Sequence, residues 1–179
     1  GEGSLRLAAA YTDLKSALSS AADGTRITVE EDYTDENTDD TLITNGTEEA
    51  PVVLDLDGHT MSMTSVINVG IDAPDGKGAF AICDSSEEKT GIFQANLSAG
   101  GGQESVFNNQ GSLKLSDAVF TTVTGQLINN GAGGALEING AKLEYEGQEA
   151  GASDKIPLIR TNGAAAITDT QIELGSGCI

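Results

Sequence analysis

The stretch Gln126-Leu127-Ile128-Asn129-Asn130-Gly131-Ala132-Gly133-Gly134-Ala135-Leu136-Glu137-Ile138-Asn139-Gly140-Ala141-Lys142-Leu143 holds two units that recur along the chain. The first is an apolar pair followed by a polar residue. It returns as Ser65-Val66-Ile67-Asn68, Ser105-Val106-Phe107-Asn108 and Pro157-Leu158-Ile159-Arg160. The second is apolar-x-apolar, a turn, and one more apolar residue. Leu136-Glu137-Ile138 runs through Gly140 to Leu143, Leu113-Lys114-Leu115 through Asp117 to Phe120, and Ala165-Ala166-Ile167 through Asp169 to Ile172. Leu54-Asp55-Leu56, through Gly58 to Met61, reads as an earlier copy, and Phe80-Ala81-Ile82 through Asp84 as a partial one.

A period of roughly 20 to 30 residues made of short strands and turns is that of a solenoid, whose repeats bury their apolar rows by stacking on one another. Alternation sends Leu113, Leu115, Leu136 and Ile138 inward and Lys114 and Glu137 outward. Stacking then predicts two internal ladders, Leu115-Ile138-Ile167 and Phe120-Leu143-Ile172, and one external row, Asp55, Ala81, Lys114, Glu137 and Ala166. Gln110-Gly111, Asn130-Gly131 and Asn162-Gly163 fall at one corner, where Gly and Asn suit positive φ, and Asp117, Gly140 and Asp169 fall at the next. Extra residues at 73–77, 85–90, 99–104 and 146–155 are polar or Gly-rich and belong to surface loops.

The start of the chain has helical periodicity instead. Thr12 stands where it can cap a helix with Leu14, Ala17, Leu18 and Ala21 on one face, and Ala22-Asp23-Gly24 ends it before Ile27-Thr28-Val29. Such a helix would cover the open first coil. The expected architecture is therefore one all-β domain over 1–179, a single-stranded parallel β-helix of roughly five or six coils. Residues 1–24 form the cap region, 25–175 the coils and 176–179 a tail. Gly1 in place of Met reads as a trimmed precursor or an expression scar. After Leu174 no capping segment is visible, so the expectation is a longer parent protein or a partner that makes end-to-end association through the C-terminal edge.

The chain carries 28 Asp and Glu against 9 Lys and Arg, a formal charge of -19. Phosphate contacts need cations, so nucleic acid is an unsuitable partner, as are anionic membrane surfaces. No apolar run approaches the length that spans a bilayer. Cys83 and Cys178 match no zinc spacing, and free thiols are expected.

Val52-Val53-Leu54-Asp55-Leu56-Asp57-Gly58-His59-Thr60-Met61-Ser62 resembles the strand and turn of right-handed parallel β-helix proteins of the pectin-lyase-like superfamily, found in secreted and cell-surface proteins of gut bacteria. The segment from Leu14 to Val29 is similar to their opening cap and first strand, and Ile82-Cys83-Asp84-Ser85-Ser86 with Gly91-Ile92-Phe93 to a later coil. The resemblance covers most of the chain. It implies right-handed winding and a secreted or cell-surface bacterial location, but not an activity, since the superfamily holds lyases, hydrolases, esterases, adhesins and phage proteins. Its lyases use calcium-binding acids with an Arg or Lys base, and its hydrolases several aspartates on one face.

Those constellations are not evident here. Lys114 and Glu137 read as a surface ion pair on neighbouring coils. Asp55, Asp57 and His59 are the most enzyme-like trio, although Asp57-Gly58 has the composition of a turn. Arg6, Arg26 and Arg160, the only arginines, adjoin no acidic cluster. The acidic run contains Asp32, Asp35, Glu36, Asp39 and Asp40, candidate ligands for calcium but without an ordered calcium-loop spacing. With no Trp, 3 Tyr and 4 Phe, sugar-stacking residues are few. Tyr33, Tyr145 and the adjoining Glu146 are the candidates for a ligand-binding edge. The expectation is a non-catalytic surface module for adhesion or for binding glycans or cell-surface ligands, with no cofactor beyond that calcium. The competing expectation is a carbohydrate-active lyase or hydrolase.

Overall fold

The computed structural model describes residues 4–6, 13–35, 39–95, 105–123, 125–145 and 157–175. The chain visits three parallel sheets in rotation and forms a parallel β-solenoid. The first sheet stacks β1 (Ser4–Arg6), β2 (Arg26–Thr28), β5 (Val52–Asp55), β8 (Ala79–Cys83), β11 (Ser112–Ser116), β14 (Ala135–Asn139) and β17 (Ala164–Thr168). The second stacks β4 (Thr41–Ile43), β7 (Ile67–Val69), β10 (Ser105–Asn109), β13 (Gln126–Asn130) and β16 (Ile159–Thr161). The third stacks β3 (Tyr33–Asp35), β6 (Thr60–Met63), β9 (Ile92–Ala95), β12 (Val119–Thr122), β15 (Lys142–Tyr145) and β18 (Gln171–Leu174).

Register follows the repeats. Leu54, Ile82, Leu115, Ile138 and Ile167 are successive partners in the first sheet, and Met61, Phe93, Phe120, Leu143 and Ile172 in the third. The apolar-pair units align in the second sheet as Ile67, Phe107, Ile128 and Ile159. All three rows meet in one core, where the Phe93 ring lies 5.4 Å from Phe107 and 6.1 Å from Phe120 between centroids. Burying each large side chain stabilises the fold by about 1.5–3 kcal/mol, which no single repeat could achieve alone. The last strands are exposed on their stacking side: Ile167 is 44 % exposed, whereas its partner Ile138 is fully buried.

One rung differs from the sequence expectation. Leu54, not Leu56, pairs with Ile82, so the residue in line with Ala81, Lys114, Glu137 and Ala166 is Val53 rather than Asp55. Residues two apart point the same way, so alternation cannot detect a two-residue slip. The slip arises because the turn from Leu54 to Met61 is two residues longer than that from Leu115 to Phe120. Leu56 fills the extra length and is fully buried.

The corners also differ in part. Asp117, Gly140 and Asp169 adopt φ of 55°, 64° and 46°, as expected. Gly111, Gly131 and Gly163 are not at positive φ. At Gly111 and Gly163 the constraint is space: a Cβ would come within 2.1 Å of the Gly78 carbonyl oxygen and 2.2 Å of that of Gly134.

The expected helix is α1 (Leu14–Ser20), capped by Asp13, whose Oδ1 accepts the Ser16 N–H at 2.7 Å. Thr12 lies outside the described residues. Seven residues are too few for a helix to persist alone. It is held by burying Leu14, Ala17 and Leu18 against β4 and by the Tyr33 hydroxyl, which accepts the Leu14 N–H at 3.1 Å.

Candidate functional site

Outward positions of the first sheet line a groove of about 480 Å3. Ala81, Lys114, Glu137 and Ala166 form one row of its floor, and Ala79, Ser112, Ala135 and Ala164 the next. Most of these side chains are small, so the sheet surface lies open, while Glu48 and Pro51 rise beside it from the segment before β5. A second depression of about 380 Å3 shares Glu48, Ala79, Ser112 and Ala135 and continues across the corner past Glu49, Lys77 and Gly111. The first groove, whose rows span β8, β11, β14 and β17, runs along the stacking direction.

Its charged groups are partly self-neutralised. Lys114 Nζ lies 2.9 Å from Glu137 Oε2, both about half exposed. Lys77 binds Asp23, which also accepts the Gly46 N–H, and these contacts lower the Asp23 pKa. Exposed pairs of this kind are screened by water, so they shape the surface more than they stabilise it. Lys142 on the third sheet forms a comparable exposed network with Glu144 at 2.6 Å and Glu173 at 3.1 Å.

Two buried aspartates with depressed pKa, Asp55 and Asp84, lie at the next corner and serve the backbone. Asp55 is 2 % exposed, accepts the Asp57 and Ser85 N–H groups, and meets Arg26 Nη2 at 2.5 Å. Burial, the largest influence, pushes its carboxyl upward, but the hydrogen bonds from Ser85, Arg26 and Asp57 outweigh it. Asp84 is likewise buried and accepts from Gly58, Ser86 and Gly91. Burial raises and these hydrogen bonds lower its pKa, with a net fall. Cys83 Sγ lies 3.8 Å from Arg26 Nη2, yet burial pushes its pKa up, so it remains a thiol. Cys178 lies outside the described residues.

The enzyme-like trio divides. Asp55 is committed to the corner, Asp57 sits in the turn at φ 45°, and His59 Nδ1 lies 3.7 Å from Asp32 Oδ1. The candidate calcium ligands are likewise dispersed over separate contacts. Asp32 accepts the Thr60 N–H, Asp39 pairs with Lys15 at 3.3 Å, and Asp40 accepts from Asn68. Asp35 is buried in line with Met63. Glu36 lies outside the described residues, among which no three metal-ligating side chains gather.

Of the candidate ligand-binding tyrosines, Tyr145 is internal and Tyr33 is half-buried against the core. Tyr145 is 5 % exposed because its strand position aligns with the inward Thr122. Tyr33 anchors α1, and its pKa is raised by burial and by nearby Asp35. Glu146 lies outside the described residues. The groove wall escaped the sequence reading, although Asn45-Gly46-Thr47-Glu48-Glu49-Ala50-Pro51 between two strands has the composition of a projecting turn.

No family model matches the chain, and no match was found among curated proteins or solved structures.

Proposed function

We propose that the chain is a right-handed β-helix module of the pectin-lyase-like kind, with roughly five or six coils. In this reading it belongs to a secreted or cell-surface bacterial protein and holds an extended ligand, of which a glycan is the leading class, without altering it. The observation that carries the reading is the trough along the first sheet, floored by alanines together with Lys114 and Glu137 and bordered by Glu48. The one aromatic among its lining residues, Phe80, is buried in the core, so a ligand would be held by hydrogen bonds and close backbone approach rather than by ring stacking. The charge of -19 favours neutral or cationic polymers over polyanions. The exposed Ile167, Ile172 and Leu174 would give such a module an edge for end-to-end association.

One observation favours a second reading, a carbohydrate-active enzyme: an amine and two carboxylates, Lys114, Glu137 and Glu48, border one groove. A glycan-array screen run beside reducing-sugar and unsaturated-product assays separates the two. Binding without product, lost in the Lys114→Ala/Glu137→Ala double variant, supports the module. Product formation by the wild-type chain replaces it with the enzyme.

A further inference from the structure

The chain contains four Asn-Gly dipeptides, Asn45-Gly46, Asn130-Gly131, Asn139-Gly140 and Asn162-Gly163. We infer that Asn162 is the one among them that the folded protein converts spontaneously to aspartate and isoaspartate. In this reaction the glycine backbone nitrogen attacks the asparagine Cγ. A new N–Cγ bond forms as Cγ–Nδ2 breaks, and ammonia leaves with the backbone amide proton. The resulting cyclic imide takes up one water and opens at either carbonyl. Glycine permits the approach because no Cβ obstructs it. The fold must also leave the side-chain amide unbound and the glycine N–H unengaged.

Three sites fail these requirements. Asn45 Nδ2 donates to the Ala21 carbonyl at 2.7 Å, and the Gly46 N–H to Asp23 Oδ1 at 2.8 Å. Asn130 is fully buried and bonded at both side-chain atoms, and the Gly131 N–H donates to the Asn109 carbonyl at 2.8 Å. Asn139 is exposed, but it lies within β14, and the Gly140 N–H donates to the Thr168 carbonyl at 3.2 Å.

Asn162 differs on both counts. It lies between β16 and β17, its side chain is exposed, and among the described residues neither its amide nor the Gly163 N–H has a hydrogen-bond partner. The attacking nitrogen is held by no bond that must first break. The close seat of Gly163 against the Gly134 carbonyl restrains the backbone, so reaction is slower than in an unfolded chain. Between Asn162 and Asn139, both exposed, the ranking is set by the unengaged Gly163 N–H. The modification also has a structural consequence. Isoaspartate would add a backbone atom where the Asn162 N–H donates to the Asn130 carbonyl at 2.8 Å, loosening β16 and β17 from the strands beneath.

The test is incubation of the intact protein at mildly alkaline pH, with peptide mapping, fragment-ion localisation and an isoaspartate assay over time. Urea-unfolded protein serves as the reference for rates set by sequence alone. In the folded protein, Asn162 is expected to convert about fivefold faster than Asn139, the factor corresponding to one backbone hydrogen bond. The Asn162→Gln variant should lose the isoaspartate signal mapped to position 162, leaving only the slower conversion at Asn139, while keeping its fold by circular dichroism. Conversion at Asn139 as fast as at Asn162, or conversion of Asn162 only in urea, would overturn the inference.

Discussion

Asn109 donates from Nδ2 to Oδ1 of Asn130 at 2.7 Å, and both side chains are sealed inside the corner between the second and first sheets. Asn130 passes the chain on, donating to Thr161 Oγ1 and to the Ala164 carbonyl, each at 2.9 Å. Asn109 also donates to the Ala135 carbonyl and accepts the Gly111 N–H. Each amide thus satisfies backbone groups that the corner turns away from the sheets. The rung is apolar at Ile43 and Val69 and polar from Asn109 onward.

Asn130→Ala should therefore cost about 3 kcal/mol, because it leaves several buried polar groups without partners. Asn129→Ala, one residue away on the outer row, should cost about 0.5 kcal/mol or less. Urea denaturation of the two variants checks this, and equal losses would show that the buried ladder has no special weight.

Thr41 has the opposite problem. Its Oγ1 is fully buried with no hydrogen-bond partner among the described residues, on a rung otherwise filled by Ile67, Phe107 and Ile128. Thr41→Val keeps the shape and removes the stranded hydroxyl, so the midpoint of unfolding should rise by the equivalent of about 1 kcal/mol. A fall would indicate that the hydroxyl is satisfied in solution.

Depth in the stack should set the cost of truncation. Ile138→Ala is expected to lose about 2–5 kcal/mol. Ile167→Ala, at the equivalent position but 44 % exposed, should lose less than half as much. Melting temperatures of the two variants measured at one protein concentration decide the point. Equal losses would mean that the last rung is covered in solution.

Acid should act through Asp55 and Asp84. Both have folded-state pKa values below the unfolded value, so their stabilisation is fully present above the unfolded pKa near 4 and is lost as pH falls through the lower, folded value. Asp84→Asn removes one of these two acid-sensitive groups and places an amide donor against the N–H groups of Gly58, Ser86 and Gly91. The variant should be about 2 kcal/mol less stable at pH 7, with a shallower decline towards pH 3, read from urea midpoints across pH.

Calcium should have little leverage on the described part of the acidic segment, where Asp32, Asp39 and Asp40 already serve three different contacts. A cation would have to pull them from those partners before ligating it. The melting temperature should be unchanged between chelator and millimolar calcium. A saturable rise would show that the acids converge once the ion is present.

The ladders were legible because alternation and repeat spacing are local properties. Lys114 opposite Glu137 could be predicted from the sequence, and the pair is formed at 2.9 Å. The two-residue slip at Leu54 was not legible, since both registers direct the same residues inward and differ only in turn length. Asn109 and Asn130 sit one position beyond Asn108 and Asn129 in two copies of the same unit, a signal the repeats contained. Their burial depends on the next coil closing over them.

By itself the sequence determined the parallel stacking, the apolar rows, the short capping helix and the strongly negative charge, because periodicity and composition need no knowledge of which coils touch. Tertiary structure decided everything that depends on contact between distant residues. It placed Asp55 in a corner with Arg26 rather than on the outer row, put Tyr145 inside, and set Glu48 on the same groove as Lys114 and Glu137. In a solenoid each surface is assembled from positions one coil apart. Small differences in turn length between coils, almost silent in a pattern of alternation, therefore fix which side chains share a groove.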